Sequence, residues 1–136
     1  MKHFYILLML ALTHVVDCSA QRATKDSIEG TWKGTSVCQV KSSPCHDENA
    51  VYHISKAANG KSYIIQGNKI VNGIEEEMGV LDGVYDATKH TLTATMKDNQ
   101  GRASIWLFKI DGRQMHGTLT HEDKTLYRII EMRKTD

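Results

Sequence analysis

The sequence contains a single proline, Pro44, and shows no excess of either charge. Its 17 lysines and arginines face 16 aspartates and glutamates, which leaves a net charge of +1. A nucleic-acid-binding domain typically carries a basic face, so we expect no nucleic-acid partner. The sequence also lacks the motifs of serine hydrolases, zinc peptidases and phosphate-binding loops. With no catalytic constellation in the sequence, we expect a protein that is not an enzyme and that carries no cofactor.

A long apolar run is found only at the amino terminus, in residues 4–16. Lys2 and His3 precede this run, and the small residues 18–20 follow it. This layout is typical of a secretory signal peptide, and the run is too short for a membrane-spanning helix, which needs about 20 apolar residues. We therefore predict a signal peptide over residues 1–20 and a secreted or periplasmic protein.

The first cysteine, Cys18, allows a second interpretation of the amino terminus. It lies where a bacterial lipoprotein would carry its lipid, although Asp17 precedes it where small residues are usual. A lipid there would attach the protein to a membrane surface without spanning it. A membrane partner is expected only in this case.

The two remaining cysteines are Cys38 and Cys45. In an oxidising compartment such a pair most simply forms a disulfide. The bond would close a short loop that contains Pro44, and the chain-entropy model gives it ~2.5 kcal/mol of stabilisation. This pair therefore agrees with export.

Eight strand-like runs separated by turn signals fill the chain from residue 30 onward, after a polar lead-in over residues 21–29. Asn72-Gly73 is the strongest hairpin signal, because both residues tolerate a positive φ. Gly79 and Gly83 lie inside a strand and predict a bend or bulge. The predicted strands are Thr31–Val40, Val51–Lys56, Ser62–Val71, Glu77–Tyr85, Thr91–Met96, Ala103–Ile110, Gln114–His121 and Leu126–Arg133.

The short connections predict that neighbouring strands in sequence are neighbours in space. An eight-stranded up-and-down meander leaves two unpaired edges, and closing the sheet removes them. The predicted fold is therefore all-β, an eight-stranded antiparallel meander closed into a small barrel over residues 30–136. An open sandwich or a split sheet is the alternative.

The first predicted strand starts with Gly30-Thr31-Trp32, and this G-x-W in a secreted eight-strand meander resembles the lipocalin and wider calycin group. The turn at residues 85–92 is similar to turns in small secreted lipocalin-like domains of bacteria. The resemblance implies that Trp32 closes one end of the barrel and that a basic residue of the last strand, Arg128, packs over its ring. GTWKGTS is also similar to the start of haem-binding nitrobindin-like barrels, with Ser36 replacing the third glycine.

The lipocalin resemblance implies a small apolar or amphipathic ligand inside the barrel. The aromatic side chains expected near such a cavity are Trp32, Tyr52, Tyr63, Trp106, Phe108 and Tyr127. The alternative is a filled barrel that acts as an interaction or structural protein. Apolar residues on both faces of strands 103–110 and 126–133 indicate either a covered outer wall or scattered surface hydrophobes. The cover would be the lead-in segment, a second copy of the chain in a homodimer, or another partner.

The densest polar cluster lies around the cysteine pair. Cys45, His46 and His53 are the candidate ligands of a metal, because thiolate and imidazole bind zinc. A metal or redox site around Cys38, Cys45 and His46 is therefore a further alternative. The cluster lacks the C-x₂-C spacing of zinc sites and redox motifs, and a disulfide would consume both sulfurs. We accordingly expect no metal.

Overall fold

The computed structural model describes residues 27–136. The predicted signal peptide, Cys18 and most of the polar lead-in lie outside the described residues. No helix in the described part of the chain is long and apolar enough to cross a membrane.

Eight antiparallel strands form one closed barrel in the order β1-β2-β3-β4-β5-β6-β7-β8, with β8 paired to β1. This confirms the predicted all-β meander and its closure. The strands are β1 Gly30–Cys38, β2 Glu48–Lys56, β3 Tyr63–Val71, β4 Ile74–Asp86, β5 Thr91–Lys97, β6 Ala103–Asp111, β7 Gln114–His121 and β8 Leu126–Lys134.

Three strand ends differ from the prediction by more than one residue. β4 begins at Ile74 because the turn before it contains only Asn72 and Gly73, with φ of 51° and 80°, so pairing resumes immediately after the turn. β2 begins at Glu48, since its first pair with β1 joins Glu48 to Ser36, and β1 ends at Cys38, whose pair with Arg128 is the last between β1 and β8. The predicted boundaries at Val40, Val51 and Glu77 are therefore wrong by two or three residues.

The two glycines inside β4 have different structural roles. Gly79 pairs with Gly67, whereas Glu77 pairs with Asn68, so Met78 is an extra residue and forms the expected bulge. Gly83 instead packs closely against two core side chains. A Cβ atom there would lie 2.9 Å from both the Ile65 and Leu92 Cδ1 atoms.

The core fills the half of the barrel that carries residues 27–29 and the carboxyl terminus, which we call the lower half. Trp32, Leu92, Phe108 and Ile130 have no exposed surface there. The Trp32 indole nitrogen donates a hydrogen bond of 2.9 Å to the Ile28 carbonyl oxygen, so residues 27–29 close the barrel from below. The opposite, upper half carries the disulfide-bounded loop at residues 39–47.

The predicted contact between Trp32 and Arg128 is wrong. Trp32 pairs with Lys134, whereas Arg128 pairs with Cys38 at the other end of the seam between β1 and β8. Six residues of extended strand separate the two positions by about 20 Å. The basic residue at the height of Trp32 is Lys134, whose Nζ donates to the Ser27 carbonyl oxygen at 2.8 Å.

A polar network covers the outer face of β2. Glu75 of β4 accepts hydrogen bonds from His53 at 2.7 Å and from Asn68 at 2.8 Å, although β4 is not a neighbour of β2. Hydrogen bonds from His53 and Asn68 lower the pKa of the Glu75 carboxyl group. Under this network Val51 and Asn68 are buried, even though they lie on the outer side of the sheet.

Candidate functional site: an open cavity in the upper half of the barrel

The upper half of the barrel contains a cavity of about 140 Å³ that opens to solvent. Its walls are mainly apolar, and Tyr52 packs edge-to-face on Phe108 to separate it from the filled lower half. Met78 and Met96, each about half exposed, lie at its side. The lining residues are Ser36, Glu48, Tyr52, Ile65, Gly67, Met78, Gly79, Leu81, Met96, Trp106, Leu119 and Arg128.

The alternation of β-strands places these side chains inside. Residues two apart share a face, so Ser36 lies on the same side of β1 as Trp32, and Glu48 on the same side of β2 as Tyr52. Small residues at Ser36, Gly67 and Gly79 leave space that larger side chains fill lower in the barrel. The cavity therefore follows from a decrease in side-chain size toward the upper half along several of the strands.

One wall of the cavity carries an ion pair between Arg128 and Glu48. Arg128 NH1 lies 3.3 Å from a Glu48 carboxylate oxygen, and both side chains are mostly buried. The same nitrogen donates to the Ser36 hydroxyl and the His46 carbonyl oxygen, both at 3.1 Å. The guanidinium is thus neutralised by a carboxylate and held by several oxygens, so the cavity wall has no net charge from this pair.

The Tyr52 hydroxyl faces the cavity next to this ion pair. Tyr52 is 6% exposed, and within residues 27–136 its hydroxyl makes no hydrogen bond. Every fully enclosed side-chain oxygen or nitrogen in that range has a hydrogen-bond partner. Because the Tyr52 hydroxyl has none, it is not fully enclosed and touches the open space of the cavity. Burial raises its pKa to about 12, with a smaller raising effect from Glu48 and an opposing effect from Arg128. The hydroxyl therefore keeps its proton at neutral pH.

The six aromatic residues predicted near a cavity do not lie in one place. Tyr52 and Trp106 line the upper cavity, and Phe108 supports its floor. Trp32 and Tyr63 lie in the lower half, where the ring of Tyr63 contacts that of Tyr85. Tyr127 lies on the upper rim, where its hydroxyl hydrogen-bonds the Ser43 hydroxyl at 2.8 Å.

Sequence reasoning missed most of the polar wall of the cavity. Glu48 lies before the predicted start of the second strand at Val51, and the predicted partner of Arg128 is Trp32. The signal that could have revealed them is their spacing, because residues an even number apart on a strand share a face. Glu48 lies four residues before Tyr52, and Arg128 lies two residues before the apolar Ile130. A charged residue on an otherwise inward-facing row indicates a buried polar partner.

The loop at the upper end is closed by a disulfide between Cys38 and Cys45, as predicted. Asp47 accepts a hydrogen bond of 2.9 Å from the Cys38 main-chain nitrogen, which fixes the loop against β1. The candidate metal ligands do not come together, because Cys45 is in the disulfide and His53 binds Glu75 on the outer face. Within residues 27–136 no group of three or more potential ligands could hold a metal ion.

A second, more polar depression lies on the upper rim beside Ser104 and His121. The Ser104 hydroxyl and the His121 Nδ1 atom are 2.9 Å apart, and the His121 ring lies on Tyr127 with a centroid distance of 4.5 Å. In the described part of the chain, no carboxylate forms a hydrogen bond with His121. The pair therefore lacks the third group that orients the base in hydrolytic triads.

A comparison with protein-family models and with curated proteins gives no match to this chain.

Proposed function

We propose that the protein is an exported, non-catalytic, lipocalin-like binding protein that holds a small apolar or amphipathic molecule in the upper half of its barrel. The observation that carries this proposal is the open, mainly apolar cavity above Tyr52 and Phe108. Such a cavity with a few polar groups is a typical small-molecule site.

The size of the cavity limits what it can hold. Its volume of about 140 Å³ is close to that of an engineered apolar cavity of about 150 Å³ that binds benzene. Most ligand pockets are larger, at about 300–1,000 Å³. The ligand is therefore one ring or one chain end, and a haem group is far too large. Since Met78 and Met96 are flexible and lie beside the opening, a longer molecule could extend past them into solvent.

Two observations support export. The disulfide between Cys38 and Cys45 fits an oxidising compartment, and the amino-terminal sequence has the pattern of a signal peptide. Together they favour a secreted or periplasmic protein.

A blocked-cavity variant tests the proposal. Leu119 points into the cavity and is 7% exposed, whereas Leu107 of the neighbouring strand is 45% exposed on the outer face. Leu119→Trp should fill much of the cavity and weaken binding of toluene, a neutral one-ring probe, at least about tenfold. Leu107→Trp is the matched control and should bind like the natural protein. Isothermal titration calorimetry measures both affinities.

Two results would contradict the proposal. The first is an absence of toluene binding to the natural protein, and the second is equal binding by both variants. Equal binding would place the probe on the outer surface, as expected for the alternative of an interaction protein. Light scattering at high concentration would then show whether that surface forms a homodimer.

A further inference from the structure

The polar groups of the upper cavity indicate which chemistry its ligand carries. We infer that the ligand is an uncharged, mainly apolar molecule with one oxygen acceptor, such as a carbonyl oxygen, that receives a hydrogen bond from the Tyr52 hydroxyl. This inference rests on the proposed function and extends it to a class of ligand.

The charged side chains of the cavity wall in residues 27–136 are Arg128 and Glu48. Arg128 and Glu48 already neutralise each other, with NH1 at 3.3 Å from the carboxylate. The guanidinium also donates to oxygens of Ser36 and His46. An anionic ligand would need to displace Glu48 and leave that carboxylate buried without its partner, which is strongly unfavourable. A cationic ligand would meet the same difficulty at Arg128.

Tyr52 favours a ligand with one oxygen acceptor. The residue is 6% exposed, and its hydroxyl has no hydrogen-bond partner among the described residues and faces the open space of the cavity. Leaving such a group unpaired under an apolar ligand costs free energy. Because its pKa of about 12 keeps the proton on the oxygen, the hydroxyl can donate to a ligand acceptor at any physiological pH. The remaining walls near it are apolar, so the rest of the ligand should be apolar too.

Three probes of nearly the same shape separate these features. Acetophenone carries a carbonyl oxygen, α-methylstyrene replaces that oxygen with a CH₂ group, and benzoate carries a negative charge at pH 7.5. Trp106 lines the cavity, whereas the Trp32 indole N–H is hydrogen-bonded at the closed lower end. NMR shifts of the indole N–H signals of these two residues therefore report binding and provide an internal control.

In the natural protein, acetophenone should shift the Trp106 signal and leave the Trp32 signal unchanged, and benzoate should bind at least about tenfold more weakly. Tyr52→Phe keeps the ring and removes the hydroxyl. The ratio of acetophenone affinity to α-methylstyrene affinity should fall about fivefold in this variant, the effect of one hydrogen bond. Glu48→Gln frees the charge of Arg128 and should raise benzoate affinity about tenfold.

The outcomes separate the inference from the proposed function. If the probes bind in the cavity but benzoate binds most tightly, or if Tyr52→Phe leaves the affinity ratio unchanged, the inference is overturned and the binding function stands. If none of the three probes shifts the Trp106 signal, the proposed function itself is contradicted.

Discussion

The lower and upper halves of the barrel are built from the same eight strands but contain different side chains. Several strands place a large apolar residue in the lower half and a small or polar one in the upper half. The pairs are Trp32 and Ser36 on β1, Ile54 and Glu48 on β2, Ile65 and Gly67 on β3, Phe108 and Ser104 on β6, and Met132 and Arg128 on β8. The lower half is a packed core, and the upper half is an open site.

This comparison shows how a short barrel can combine stability with binding. Eight strands enclose an interior just wide enough for side chains, so a cavity forms only where some of them are small. The lower half supplies the burial that stabilises the fold. The upper half can then keep an ion pair and an unpaired hydroxyl, which a packed core would not tolerate.

The largest expected effect comes from removing a ring on either side of the boundary between the halves. Phe108 has no exposed surface, whereas Trp106, two residues before it on β6, is half-buried at the cavity. Phe108→Ala should lower the free energy of unfolding by about 3–5 kcal/mol, because it leaves a closed void in the core. Trp106→Ala should lower the free energy of unfolding by about half as much, since it only widens a space that is already open.

Urea unfolding followed by circular dichroism measures both changes. Equal losses of stability for the two variants would show that the upper half is packed as tightly as the lower half. This result would contradict the contrast between a packed core and an open site.

A smaller effect should appear at alkaline pH, through Tyr52. Its pKa is raised to about 12 in the folded protein by burial, against about 10 in an unfolded chain. Between these values the folded state binds more protons than the unfolded state, so stability is complete below about pH 10 and falls as the pH rises toward 12. The difference of two pKa units between the folded and unfolded states corresponds to a loss of about 2–3 kcal/mol in the free energy of unfolding.

Tyr52→Phe provides the control for this prediction, because the lysines and the other tyrosines titrate in both proteins. Urea unfolding at pH 9 and pH 11.5 should show a steeper loss of stability in the natural protein than in the variant. Parallel losses would mean that the Tyr52 hydroxyl is well hydrated, which would also weaken its assignment as a hydrogen-bond donor to the ligand.

Local sequence signals predicted the strands and most of their connections. The two-residue turn at Asn72-Gly73, the alternation in residues 91–96 and the bulge at Gly79 depend on neighbouring residues, so they can be read from the sequence. The disulfide could also be predicted, because only two cysteines remain beyond residue 20.

The contacts between distant strands could not be predicted in the same way. β1 and β8 have no connecting turn that fixes their register, and the stagger of a closed barrel decides which residues meet. A shift of six residues separates the predicted Trp32 to Arg128 contact from the observed pairing of Trp32 with Lys134. The pairing of Arg128 with Glu48, and therefore the polar wall of the cavity, depends on the same long-range register.

The smallest expected effect sharpens the comparison between the halves through two glycines that each face an aromatic ring. A Cβ atom at Gly117 would lie 2.5 Å from a Phe108 ring carbon and 3.2 Å from the Ile130 Cβ atom, whereas one at Gly67 would lie 3.4 Å from the Tyr52 ring. Gly117→Ala should lower the free energy of unfolding by about 1–3 kcal/mol, because the lower half has no room for a methyl group. Gly67→Ala should change stability by less than about 0.5 kcal/mol, since the methyl group enters the cavity and alanine restricts the unfolded chain more than glycine does. Urea midpoints of the two variants test this difference, and a costly Gly67→Ala would show that Tyr52 cannot yield toward the cavity.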